Sequence, residues 1–132
     1  SKIVEYAHDF QIDVIPFVGP SSILLALMAS GMNGQNFAFT GYLPIDKSER
    51  IRTLTNLESL IKKTGQPQIF METPYRNNQL IETILKTCSN NTKLCIASDI
   101  TLPTENIKTK TIAEWKEASI NIHKKPAIFL IG

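Results

Sequence analysis

Cysteine is scarce in this chain, and so are tryptophan, histidine and net charge. There are two cysteines, Cys88 and Cys95, one tryptophan and two histidines among 132 residues. Two thiols seven apart, each among apolar neighbours, read as buried side chains rather than as a disulfide framework or a metal site. His8 and His123 have no second ligand at metal-binding spacing and read as surface residues. The net charge is only +2, from 14 basic and 12 acidic residues, so charge alone does not mark a nucleic-acid binder. The pairs Lys62-Lys63 and Lys124-Lys125 read as solvated faces. Apolar runs are short. The longest strongly apolar stretch, Ile23 to Ala29, falls far short of the roughly 20 residues of a membrane span. Several motifs are missing too: no Gly-x-Gly-x-x-Gly follows a strand, no Gly-x-x-x-x-Gly-Lys precedes a helix, and no Ser sits in a Gly-x-Ser-x-Gly turn. Asn90-Asn91-Thr92 matches a glycosylation sequon, a three-residue pattern that arises readily by chance.

What is present is an ordinary globular balance, 42% hydrophobic and 20% charged, in a length that suits one domain. Ile3, Val4, Ala7 and Phe10 recur at helical spacing, and Ile12 to Val18 follows as a strand interrupted by Pro16. Gly19-Pro20 breaks that pattern. Pro20-Ser21-Ser22 opens a helix, apolar all round and expected to be buried on most sides, which Gly31 closes. Phe37 to Leu43 reads as a strand. Asp46 and Glu49 have capping-box spacing ahead of a helix whose apolar face is Ile51, Leu54, Leu57 and Ile61. Gln68 to Met71 is a short apolar strand of the kind covered on both faces. Thr73-Pro74 reads as a cap with proline in the first helical position, before a helix carrying Leu80, Ile81, Ile84, Leu85 and Cys88. Lys93 to Ile100 and Asn106 to Thr111 read as strands. Thr111 and Glu114 form a second capping box before Trp115, and Ala127 to Ile131 is a last, central strand. Strands alternating with helices imply an α/β fold: a single layered domain with a mixed five- or six-stranded sheet and flanking helices.

In an open α/β sheet, ligands sit beyond the carboxyl ends of strands. Three turns there carry unusual residues: Gly19-Pro20-Ser21-Ser22, then Met71-Glu72 with Thr73 to Arg76, then Asp99-Ile100-Thr101. Gly19 permits close approach, and Ser21 and Ser22 bring hydroxyls and free amides to a helix start. Two readings stand on the residues alone. One makes these turns caps, with Glu72 and Arg76 a structural ion pair; the other makes them a ligand site.

Four segments in order then carry a resemblance: Pro16-Phe17-Val18-Gly19-Pro20-Ser21-Ser22, Phe39-Thr40-Gly41-Tyr42-Leu43-Pro44, Phe70-Met71-Glu72-Thr73-Pro74-Tyr75-Arg76 and Ala97-Ser98-Asp99-Ile100-Thr101. Together they resemble the tetrapyrrole methylase family, nearest its ribosomal RNA small subunit branch, from about residue 12 to the end. The resemblance implies S-adenosylmethionine as cofactor. It implies cofactor-binding positions at Gly19, Pro20, Ser21, Ser22, Met71, Glu72, Asp99, Ile100 and Thr101, with Ile100 acting largely through backbone groups. It also implies a two-domain enzyme. Residues 1–11 would then be a helix from the linker or N-terminal domain, and 12–132 the C-terminal domain. The family's N-terminal Gly-Asp-Pro motif is absent here. The start at Ser1-Lys2 and the apolar end fit a cut segment. The implied acceptor is rRNA or a tetrapyrrole. The implied partners are the missing N-terminal domain and a second copy in a homodimer, in the cytoplasm and away from membranes. The resemblance names no catalytic residue and requires no metal. A non-catalytic nucleotide-binding or dimerisation module is the alternative of a different class.

Overall fold

The computed structural model describes residues 20–32 and 34–132. The opening helix, the Ile12–Val18 strand, His8 and Gly19 lie outside the described residues. The described elements are α1 (Pro20–Ser30), β1 (Ala38–Tyr42), α2 (Lys47–Thr64), β2 (Gln68–Met71), a 3-10 turn (Pro74–Arg76), α3 (Asn77–Thr87), β3 (Lys93–Ser98), β4 (Asn106–Thr111), α4 (Ile112–Lys116) and β5 (Ala127–Ile131). The strands form one mixed sheet in the order β1-β2-β5-β3-β4. β1 and β2 are parallel, and β5 runs antiparallel to both β2 and β3. β4 runs antiparallel to β3. It follows that β1, β2 and β3 point one way and β4 and β5 the other. All five residues of β5 are buried, as expected of a central strand.

Alternation along the strands divides the core in two. Phe70, Leu94, Ile96, Phe129 and Ile131 face α2, α3 and α4, meeting Leu54, Leu57, Leu80, Ile84, Ile112 and Trp115. The Trp115 Nε1 donates to the Leu94 carbonyl at 2.7 Å, which satisfies the indole in a buried position. Ile69, Cys95, Ala97, Ile128 and Leu130 face the other way, under Ala26 and Leu27 of α1. The sheet is therefore covered on both sides, which explains the unbroken apolar runs of β2 and β5.

Local expectations mostly hold. The Asp46 carboxylate accepts from the Glu49 N–H at 3.0 Å, and Gly65 ends α2 at φ +70°. The Thr111–Glu114 box is present with both arms. Cys88 and Cys95 are buried free thiols.

Four expectations are corrected. α1 is apolar all round, yet Leu24, Leu25 and Met28 are exposed and, among its described side chains, only Ser22, Ala26, Leu27 and Ser30 are buried. Composition shows that a helix can be buried; only the single face meeting the sheet is. The buried face of α2 is Arg50, Leu54, Leu57 and Glu58, with Ile51 exposed. Thr73 does not cap through its side chain, because its hydroxyl accepts from Arg76 Nη1 at 3.1 Å. The strand expected to reach Ile100 ends at Ser98, because Asp99 (φ +51°) and Thr101 (φ +71°) turn the chain out of the sheet.

Candidate functional site

Strand direction decides where the singled-out turns go. β2 and β3 point the same way, so Met71-Glu72 and Ser98-Asp99 leave the sheet at the same edge. Met71 and Ala97 both pair with Ile128 of β5, one from each side. The two turns therefore stand at one level, separated by two strand spacings, about 10 Å.

Of the third turn, only Pro20–Ser22 at the start of α1 is described. The last residue of α1 lies at the opposite edge, where Thr109 Oγ1 donates to the Ser30 carbonyl at 2.9 Å. An 11-residue helix is about 16 Å long, much the same as a five-residue strand. Its other end therefore returns toward the Asp99–Thr101 turn, and Ile23 packs on the cluster that contains Ile100. Ser22, in the first turn, is buried. Of the expected site residues, Gly19 lies outside the described residues. Pro20, Ser21 and Ser22 open the helix, and Met71, Glu72, Asp99, Ile100 and Thr101 lie along the shared edge.

The side chains at this edge are mostly occupied. Glu72 is 5% exposed. Its Oε1 accepts from the Thr73 N–H at 2.7 Å and stands 3.6 Å from Arg76 Nη1. Its Oε2 stands 3.7 Å from Arg50 Nη2 and has no hydrogen-bond partner. The expected Glu72–Arg76 pair is thus present, joined by a second arginine that sequence reasoning missed. Arg50 also donates to the carbonyls of Pro44 and Ile45, both at 3.1 Å. One guanidinium thereby ties the Gly41–Pro44 segment to the Glu72 turn. A signal was available: Arg50, Leu54, Leu57 and Ile61 have the spacing of one helical stripe, and a charge on a buried stripe demands a partner.

The Asp99 turn is also built rather than loose. The Asp99 N–H donates to the Pro126 carbonyl at 3.0 Å, and its Oδ2 accepts from Thr104 Oγ1 at 2.8 Å. The Thr101 N–H donates to Glu105 Oε1 at 2.8 Å. A left-handed threonine is uncommon because its branched Cβ crowds the backbone, so these bonds hold a strained conformation in place. Ile100 between them is fully buried, and no described residue hydrogen-bonds its N–H or C=O. Buried backbone groups are nearly always paired, so a donor and acceptor without partners among the described residues stand out at this edge.

Another cleft, of about 390 Å³, lies at the opposite edge between Ser30-Gly31-Met32, Pro67, Lys93 and Gly132. It contains none of the expected residues.

Two comparisons with known proteins agree on kinship, while no family model matches the chain. It is 34% identical over 111 residues to the ribosomal RNA small subunit methyltransferase I of Mesorhizobium japonicum, covering 84% of this chain and 36% of that protein. To the protein of the same name from Buchnera aphidicola subsp. Schizaphis graminum it is 34% identical over 123 residues, covering 91% of this chain and 42% of that one. The chain belongs to the tetrapyrrole methylase family. It spans less than half the length of these curated relatives. Among solved structures, the methyltransferase CobJ superposes with a TM-score of 0.52 at 16% identity, over 83% of this chain and 46% of that one. Cobalt precorrin-4 methyltransferase CbiF gives 0.53 at 17% identity, over 99% and 56%. At such identities the two structures support the fold of this methylase segment and nothing finer.

Proposed function

We propose that the chain is the C-terminal, cofactor-side half of an S-adenosylmethionine-dependent methyltransferase acting on rRNA, at a ribose hydroxyl or a related acceptor. What supports this is that the Met71–Thr73 and Asp99–Thr101 turns leave the sheet at one edge, toward which the start of α1 is directed, in a chain similar to proteins named for rRNA methylation. The residues fit such a cofactor. Ile100 offers a buried main-chain donor and acceptor without partners among the described residues, the pair that an adenine edge requires. The first turn of α1 offers free amides near Ser21 and Ser22, suited to a carboxylate. Asp99 and Thr101 hold the Ile100 backbone rigid. Glu72, turned toward Arg50 and Arg76, fixes the turn and offers ligands its backbone rather than its carboxylate.

When bound, the cofactor supplies an electrophilic methyl group on sulfur. The chain's own residues bind and orient, which is the main demand of an in-line methyl transfer. In this reading residues 1–11 belong to the linker or N-terminal domain, which completes the cleft. A homodimer in the cytoplasm is the expected assembly, and the exposed Leu24, Leu25 and Met28 give α1 a face that such an assembly can cover.

The test is methyl transfer by the full-length protein from labelled S-adenosylmethionine. Label in small-subunit rRNA is expected, and none is expected with the 132-residue chain alone. Label in a corrin precursor instead of RNA would overturn the acceptor. Turnover by the 132-residue chain would overturn the two-domain assignment.

A further inference from the structure

A groove of about 230 Å³ runs between β4 and the 118–125 loop, on the face of the sheet that carries α4. Lys108, Lys110 and Lys125 line it together with Asn106, Ser119 and Asn121, and no carboxylate does. Elsewhere in the described residues, four cations have carboxylate partners: Arg50 and Arg76 with Glu72, Lys62 with Glu58, Lys86 with Glu82. Lys108 and Lys125 are exposed and are in none of these pairs. The Lys110 ammonium lies 4.9 Å from the centre of the Trp115 ring, and its charge also reaches the Glu114 carboxylate, where it adds to the Thr111 hydrogen bonds in lowering the pKa.

The groove opens at the edge described above. Ser98 and Thr104 line its end, and the Pro126 carbonyl beside Lys125 accepts from the Asp99 N–H. Its outer wall is pinned. Asn77 Nδ2 donates to the Ile122 carbonyl at 3.1 Å, Asn78 Oδ1 accepts from the Ile122 N–H at 3.1 Å, and Asn78 Nδ2 donates to Asn121 Oδ1 at 3.0 Å. Tyr75 stands beside that wall, 68% exposed, with His123 edge-on at 6.1 Å and the Lys124 ammonium 5.8 Å from its ring centre.

We propose that this groove binds the sugar–phosphate backbone of a single RNA strand and leads it to the Met71–Thr73 and Asp99–Thr101 edge. Lys108 and Lys110 alternate along one strand, so their Cα atoms are about 7 Å apart, a step comparable to that between successive phosphates. Neutral amides and hydroxyls between cations, with no carboxylate in the lining, suit ribose hydroxyls and phosphate oxygens, whereas a protein surface would call for apolar anchors. Tyr75 gives a splayed base a face to stack on. The choice of RNA rests on the methyltransferase reading; the carboxylate-free cationic lining and the pinned wall do not.

The test uses the full-length protein and a fluorescein-labelled mixed-sequence RNA oligonucleotide, titrated by anisotropy over a range of salt. The variant Lys108→Gln/Lys110→Gln/Lys125→Gln is compared with Lys62→Gln/Lys63→Gln/Lys86→Gln, which removes the same charge elsewhere. Each phosphate neutralised on a single strand contributes about 0.7 to the slope of log affinity against log salt. The groove variant should therefore bind with a slope shallower by about 2 and roughly a hundredfold more weakly at 0.1 M salt. The control variant should match the wild type. Equal effects in the two variants, or none in the groove variant, would overturn the groove assignment. S-adenosylmethionine titration by calorimetry separates the two readings. Cofactor binding unchanged in both variants leaves the methyltransferase reading standing whatever the RNA result, and no binding by the wild type would sink that reading first.

Discussion

Replacing Glu72 by alanine should be the most damaging single change at the sheet edge. The Arg50 side chain, 5% exposed, would lose its counter-ion, and the Thr73 N–H would lose an acceptor at 2.7 Å. Removing one partner of a buried pair costs about 3–5 kcal/mol. Arg50 keeps the carbonyls of Pro44 and Ile45, which offsets part of the loss, so about 3 kcal/mol is expected. Arg76→Ala should behave differently. Its side chain is 36% exposed and its contact with Glu72 is 3.6 Å, so solvent screening holds the cost to about 1 kcal/mol or less. Urea unfolding of the 132-residue chain, followed by the fluorescence of its single tryptophan, measures both. The Glu72 effect should persist at about 0.5 M salt while the Arg76 effect fades. Equal costs for the two variants would refute the idea that Arg50, rather than Arg76, is the principal partner of Glu72.

Other perturbations address separate parts of the molecule. Burial raises the pKa of Glu58, but hydrogen bonds from Thr92 and from the Ser89 N–H and hydroxyl outweigh it, so the net shift is downward from 4.5. A lowered folded-state pKa gives stability that is present above about pH 4.5 and lost as the pH falls below it; Glu58→Gln should flatten the stability profile there, and an unchanged acid limb would contradict this. Burial and the neighbouring Glu58 carboxylate push the Cys88 thiol up to about 12, and burial raises Cys95 as well. Neither should react with a thiol reagent at pH 8 until the chain unfolds; rapid labelling of the folded protein would show otherwise. Thr101→Gly removes a left-handed β-branched residue whose side chain is exposed, and should raise stability by up to about 1 kcal/mol in the same urea assay, with a loss counting against backbone strain at that turn.

Much of the fold was legible because two periodicities are clean in this sequence. β4 and β5 match their expected bounds, and β2 and β5 carry the unbroken apolar runs of strands covered on both faces. The capping pair at Thr111 and Glu114 and the stop at Gly65 are local chemistry, which needs no knowledge of the rest of the chain. The errors lie where tertiary contacts decide. Arg50 is on the buried stripe of α2 only because Glu72 and two carbonyls, distant or in a loop, receive it. Leu24, Leu25 and Met28 face outward because only one face of α1 meets the sheet. The sequence marked the strand-end turns at 71–73 and 99–101 but not their chemistry. The sequence shows a carboxylate at 72, yet not that it is spent on two arginines, and no side-chain pattern betrays that the Ile100 backbone lacks partners among the described residues.

The central claim is that the edge formed by Met71–Thr73, Asp99–Thr101 and the start of α1 takes the cofactor. The most direct measurement is an amide NMR titration of the full-length protein with S-adenosylmethionine. The Ile100 and Thr101 amides, with those of Ser21 and Ser22, should shift most. Shifts concentrated instead at Gly31, Met32, Lys93 and Gly132, around the cleft at the opposite edge, would contradict the account.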